Sequence, residues 1–205
     1  MTAVRFLRAF AAAVLTAVLA GCSVAPPTPG DGRVTLPVAD WQPAPAPEAW
    51  RLTGRAALHA GDDGGTVSVF WESGGDRYRL TLNGPIGSGA VRLEGNAGGI
   101  TLRTSDGRVR RAGSARALLR AETGYDLPVS YLRWWVRARA VPELGGRVRL
   151  DDDDRPVSLV QDGWHVTYDE FRRVDGYWLP HRLSVERGDV SVRLAVREWR
   201  AGPSS

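Results

Sequence analysis

The residue types able to do chemistry are few in this chain. Of histidine and cysteine it holds only His59, His165, His181 and Cys22. The histidines show neither His-x-x-x-His nor His-Glu-x-x-His spacing, so no two of them share a helix face around a zinc ion. Gly87-Ser88-Gly89 sets a serine between glycines. A nucleophile elbow, however, needs glycine two residues to either side, and the residue two before Ser88 is Ile86. Asp151-Asp152-Asp153-Asp154 lacks the alternating ligands, central glycine and closing glutamate of a calcium loop, so a solvated turn is expected. No enzyme is expected from this inventory, and no cofactor or metal.

The chemistry that does fit belongs to Cys22. Arg5 and Arg8 precede an apolar run from Ala9 to Ala20, broken only by Thr16, and Leu19-Ala20-Gly21 then leads into the cysteine. A positive start, a short apolar stretch and small residues before a cut describe a secretory signal, too short to span a bilayer comfortably. With cysteine at the cut, residues 1–21 resemble the signal of bacterial lipoproteins, whose cysteine receives a diacylglyceryl group and becomes the first residue. Several acyl chains on one residue, at about 0.8 kcal/mol per buried CH₂, make such an anchor effectively permanent. A lipid-modified Cys22 leaves no thiol for a disulfide, so the fold must rest on its core. Ser23 follows, where the enterobacterial sorting pattern has aspartate for inner-membrane retention. That likeness implies an outer-membrane address on the periplasmic face.

Composition removes another class of function. The formal net charge is +4 and all 27 basic residues are arginine. The arginines are scattered among acids and do not form a basic stripe, so no nucleic-acid partner is expected. The length suits one domain with a sizeable core, expected as a monomer.

The elements that must position any site follow from periodicity. Seven of the 13 prolines fall between Ser23 and Pro47. Proline removes an N–H donor, so residues 22–47 are expected to form an extended lipidated tether and not to build a ladder. Beyond it, apolar residues alternate with polar ones: Trp50, Leu52, Ala56 and Leu58; Val67, Val69 and Trp71; Tyr78, Leu80 and Leu82; Val91 and Leu93; Ile100 and Leu102. The habit returns at Val148 and Leu150; Val157 and Leu159; Trp164, Val166 and Tyr168; Leu183 and Val185; and Val190 to Val196. Glycine- and aspartate-rich turns separate these runs, which argues a series of antiparallel strands, each with one apolar face. Two stretches break the alternation. Ser114 is placed to cap a helix from Ala115 to Thr123 with Leu118 and Leu119 inward. Pro128 suits the first turn of a second helix that sets Val129, Leu132, Trp135 and Val136 on one face. Two helices between two sheets of strands are therefore expected, in a domain over 48–200 with a tail at 201–205.

Strand alternation and helix spacing turn Trp71, Tyr78, Leu80, Leu82, Leu93, Leu132, Trp135, Leu183 and Leu194 toward the interior. All eight tryptophans lie after Cys22. A packed core and a cavity for an acyl chain both fit that pattern.

Several segments, taken in order, resemble the LolB family of outer-membrane lipoprotein receptors. They are Trp50-Arg51-Leu52-Thr53-Gly54-Arg55-Ala56; Phe70-Trp71; Asp76-Arg77-Tyr78-Arg79-Leu80; Gly84-Pro85-Ile86-Gly87-Ser88; and Gly124-Tyr125-Asp126-Leu127-Pro128 with Leu132, Trp134 and Trp135. Gln161-Asp162-Gly163-Trp164 with Tyr168, Leu179-Pro180 and Trp199 complete the series. The likeness runs from Trp50 to Trp199 and rests on order and spacing. It departs from the family pattern after the second helix, where Arg137-Ala138-Arg139-Ala140-Val141-Pro142 replaces a Gly-x-Pro segment.

The resemblance implies a mainly β fold, an incomplete antiparallel β-barrel enclosing an apolar cavity with helices as its lid. It implies the carrier LolA, lipoprotein acyl chains and outer-membrane phospholipid as partners, and the nine interior residues as acyl-cavity candidates. Pro85, Ile86 and Gly87 would then form a membrane-insertion loop, with Ile86 as its one large apolar side chain. The other class of function open to the sequence is a lipid-anchored envelope scaffold with a solid β core.

Overall fold

A computed structural model describes residues 34–84, 89–96, 98–123 and 126–202. Cys22 and the loop residues Pro85, Ile86 and Gly87 lie outside the described residues, as does the signal segment. The alternating runs form β2 (Trp50–Ala60), β3 (Asp63–Gly74), β4 (Arg77–Asn83), β5 (Ala90–Asn96), β6 (Gly99–Thr104) and β7 (Val109–Ala112). After the helices come β8 (Arg147–Leu150), β9 (Pro156–Gln161), β10 (Trp164–Val174), β11 (Tyr177–Arg187) and β12 (Val190–Ala201). Where two sheets were expected there is one. With β1 (Val34–Pro37), its 12 strands run in the order β1-β8-β9-β10-β11-β12-β2-β3-β4-β5-β6-β7. The first and second halves of the chain join through β12 and β2, which pair along eleven registered positions from Val190↔Ala60 to Ala201↔Trp50. Close approach there depends on Gly54, since a Cβ at that site would stand 2.3 Å from the Ala195 carbonyl oxygen. The sheet is an incomplete antiparallel barrel whose edges are β1 and β7.

Register explains the core. Trp199, Leu52, Trp71, Leu80, Leu93 and Leu102 stand directly opposite one another in one row across six strands. All six are buried. Each such aliphatic side chain contributes roughly 1.5–3 kcal/mol on leaving water. A register shift between Val196 and Glu198 inserts one residue into β12, which turns Trp199 onto the inner face three positions after Val196 instead of two or four.

The two helices appear where the spacing places them: α1 is Ala115–Thr123 and α2 is Val129–Trp135. The Ala117 amide donates to Ser114 Oγ at 3.2 Å, the expected cap. Val129, Leu132, Trp135 and Val136 are buried, as are Leu118 and Leu119. α1 packs against β6, β7 and α2.

The tether expectation needs correction from Val34 onward. β1 (Val34–Pro37) pairs with β8 from Val34↔Leu150 to Pro37↔Arg147. A 3₁₀ turn, Val38–Asp40, follows, and the Val38 amide donates to the Gly146 carbonyl. Trp41 and Pro47 are buried. Proline is tolerated because β1 is an edge strand that ends on it. The missing N–H groups leave carbonyls to be satisfied, and arginines satisfy them: Arg137 Nη1 donates to Pro47 O at 2.9 Å and Arg139 Nη1 to Ala44 O at 3.1 Å. These are the arginines of the segment that departs from the family pattern. Burial, with Arg133 and Arg139 nearby, lowers the Arg137 pKa to about 10.

An apolar mouth as candidate functional site

The inner face of the sheet changes character from one end to the other. At the end carrying the β3–β4 and β5–β6 turns, Trp50, Leu52, Trp71, Leu80, Leu93 and Trp199 are packed out of water. Trp50 meets Trp71 and Trp199 edge-on, with ring centroids 5.3 and 5.4 Å apart. Tyr78 closes this end over Gly95, where a Cβ would stand 2.3 Å from the ring carbons. Burial raises the Tyr78 phenol above its ordinary pKa. At the opposite end the same face carries Leu58, Val67, Leu82, Val91 and Val192, all only half-buried. They are neighbours by register: Val192↔Leu58, Ala56↔Val67, Val69↔Leu82 and Leu82↔Val91. The result is a half-exposed apolar rim, or mouth, at the end where Asn83 and Ala90 pair.

Of the nine residues expected to face the interior, Trp71, Leu80, Leu93, Leu132, Trp135, Leu183 and Leu194 are buried. Tyr78 and Leu82 are half-buried and pack against that core. Leu82 is the member that reaches the mouth. A separate cleft of about 900 Å³ at the far end includes only Tyr78 of the nine. Glu72, Arg79 and Glu94 line it as well, with Arg79 Nε 3.0 Å from Glu94, so this cleft joins charged side chains to Tyr78 and Ile100 at the closed end of the apolar face.

Two polar networks join the helices to the sheet. Gln161, buried on β9, ties α2 to the sheet: Oε1 accepts from Trp135 Nε1 (3.1 Å) and the Val141 amide (2.9 Å), and Nε2 donates to Leu144 O (2.8 Å). Tyr168 donates from its hydroxyl to Trp135 O at 3.1 Å, and burial raises its pKa strongly. The second network is ionic. Asp126 pairs with Arg116 of α1, Nε to Oδ1 at 2.7 Å, and with Arg187 at the end of β11. The side-chain hydrogen bond from Arg116, with Arg187 beside it, holds the Asp126 carboxyl below its usual range. Among the described residues no group of His, Cys, Asp or Glu is placed to hold a metal ion.

The model of the family described as "Outer membrane lipoprotein LolB" matches residues 48–199. The chain belongs to the LolB family. An "Outer-membrane lipoprotein LolB" of Pseudomonas putida is 40% identical over 153 residues, which is 75% of each chain. The Pseudomonas aeruginosa protein of the same description is 36% identical over 197 residues, 95% of this chain and 96% of that one. Among solved structures, a LolA superfamily protein from Nitrosomonas europaea aligns with a TM-score of 0.50 at 10% identity, over 82% of this chain and 91% of that one. A DUF1329 family protein from Desulfovibrio piger aligns at 0.51 and 9%, over 76% and 86%. At such identities the likeness speaks to the fold, which the LolB-family chain shares with LolA-type proteins.

Proposed function

We propose that this protein is an outer-membrane-anchored receptor that accepts lipoproteins from a soluble LolA-type carrier and inserts them into the inner leaflet of the outer membrane. One observation supports it most: a continuous apolar inner face, half-exposed at the end from which the 84–89 loop departs. Acyl chains lose about 0.8 kcal/mol of favourable burial per CH₂ in water, so they must pass between apolar surfaces in contact. Transfer of this kind needs relative affinities and no covalent step. Cys22 carries the anchor, and Ile86 enters the bilayer as the chains leave. Burying one isoleucine is worth roughly 1.5–3 kcal/mol, enough to bias docking but not to anchor. The nine interior residues divide into those that complete the core and those, led by Leu82, that meet the acyl chains.

The scaffold reading draws on the tight packing of the tryptophan end and requires the mouth to bind nothing. A two-stage transfer of radiolabelled lipoprotein, carrier to receptor and then receptor to liposome, decides between them. Ile86→Asp should pass the first stage and deliver poorly at the second, with Ile86→Leu nearly silent. Absence of any uptake by the wild-type protein would favour the scaffold. Normal delivery by the aspartate variant would remove the loop from the mechanism.

A further inference from the structure

The helices are fastened to the sheet in two chemically different ways. On one side they bury apolar surface, with Leu118, Leu119, Leu132 and Trp135 in the core. On the other, at the mouth end, the fastening is ionic. Asp126, between the helices, receives two hydrogen bonds from Arg116 of α1 and pairs with Arg187 of β11. Arg187 stands opposite Val190 at the rim of the mouth. Its Nη1 also donates to Asp162 O at 3.2 Å, and its guanidinium lies 4.4 Å from the ring centre of Trp164. Asp162 completes the ring, 3.8 Å from Arg116 Nη1 and 3.7 Å from Arg187 Nη1. Tyr131 of α2 also faces Asp162; burial first, and then that carboxylate, raise its pKa. Two arginines, one from the helices and one from the sheet, thus share two carboxylates.

We propose that this ring is a latch: Asp126 holds the helical segment against Arg187 at the mouth, and the mouth admits an acyl chain when the ring opens. The ligand in this proposal rests on the receptor reading above; the latch itself does not. The exposure of the four side chains suits the role. They range from 22% for Asp126 to 48% for Arg116, so water and salt screen the ring. A fully buried ring would hold the helices permanently, and a fully exposed one would hold nothing. Trp164 links the two fastenings, because its ring also lies 6.3 Å from that of Trp135 on α2.

The test pairs two readouts on the wild type, Asp126→Asn, Arg187→Gln and the charge-keeping Asp126→Glu. The first is amide hydrogen exchange of α1 and α2 at 50 mM and 500 mM salt. The second is the association rate of 11-dansylaminoundecanoic acid, a single-chain fluorescent probe. In Asp126→Asn and Arg187→Gln, the helix amides should exchange about five- to tenfold faster while β11 and β12 stay within twofold. The probe should enter faster by a similar factor, and the salt dependence seen in the wild type should vanish. Asp126→Glu should stay within twofold of the wild type. Unchanged helix exchange, or equal acceleration of helices and strands, would overturn the latch. So would loosened helices with an unchanged entry rate in a protein that binds the probe. If the helices loosen as expected but even the wild type binds no probe, the receptor reading fails and the latch stands.

Discussion

Gln161→Met removes the polar hub beneath α2 while nearly keeping its shape. It leaves Trp135 Nε1 and the Val141 amide without the Oε1 that both reach, and the Leu144 carbonyl without Nε2. The site is closed to solvent, with Gln161 1% and Trp135 0% exposed, so water does not replace these bonds. An orphaned buried donor costs about 1–3 kcal/mol. Two donors make about 2–6 kcal/mol, from which better burial of the methionine side chain recovers about 1–2 kcal/mol. A net loss of about 3 kcal/mol should lower the melting temperature by roughly 6–12 °C in a domain of this size. Thermal and urea unfolding followed by far-UV circular dichroism and tryptophan fluorescence would measure it. The cycle with Trp135→Phe gives the stricter check. Phenylalanine has no N–H to orphan, so that change should cost about 1 kcal/mol less in the methionine background than alone. A loss under 1 kcal/mol, or strict additivity, would show that Gln161 does not hold the helix.

Gly95→Ala should destabilise the domain by about 1–3 kcal/mol, because the added methyl meets the Tyr78 ring; Tyr78→Leu in the same chain should relieve most of that in urea titrations. Leu82→Ser should cost folding about 1 kcal/mol, since the side chain is half-buried, yet weaken binding of a fluorescent fatty acid about tenfold by calorimetry. Leu132→Ser, at a buried position, should cost stability more, about 2–5 kcal/mol. His181 is buried with Nδ1 on the Val196 carbonyl, so Nδ1 carries the proton and Nε2 is bare; burial lowers its pKa. The native state therefore resists protonation, and its stability should fall as pH drops below about 6.5, before the carboxylates titrate. His181→Phe should remove that limb from a pH series of unfolding midpoints.

What the sequence made legible was local. Leu80 and Leu93 announce their face by alternation, and Ser114 and Pro128 mark helix starts within a residue, because each signal lies inside its own element. Gln161 carried no such signal: its partners Trp135, Val141 and Leu144 lie 17 to 26 residues away, and only folding brings them within reach. Arg116 and Arg187 read as scattered charges for the same reason: their partner Asp126 lies 10 and 61 residues away. The joining of two expected sheets into one depends on the β12–β2 pairing, between strands at opposite ends of the domain sequence. Proline content describes what Val34–Pro47 cannot donate, and the arginines whose N–H groups its carbonyls accept lie about 90 residues further on. The nine interior residues were turned the right way by periodicity, but which of them reach the mouth depends on curvature, which no local pattern encodes.

The docked strap from Val34 would set the radius within which a lipid-anchored domain can move. With Cys22 acylated as proposed, only the residues from Ser23 to Arg33 remain between the lipid and the first strand. Covalent geometry limits such a stretch to about 40 Å however it is arranged. Confinement to a hemisphere of that radius keeps the domain at an effective concentration on the order of 10 mM with respect to its own patch of membrane. If Ile86 enters the bilayer as proposed, its roughly 1.5–3 kcal/mol corresponds to a Kd of about 6–80 mM, so at that concentration the side chain would be inserted for only part of the time. A receptor tethered so closely would sample the leaflet continually and let go of it just as often.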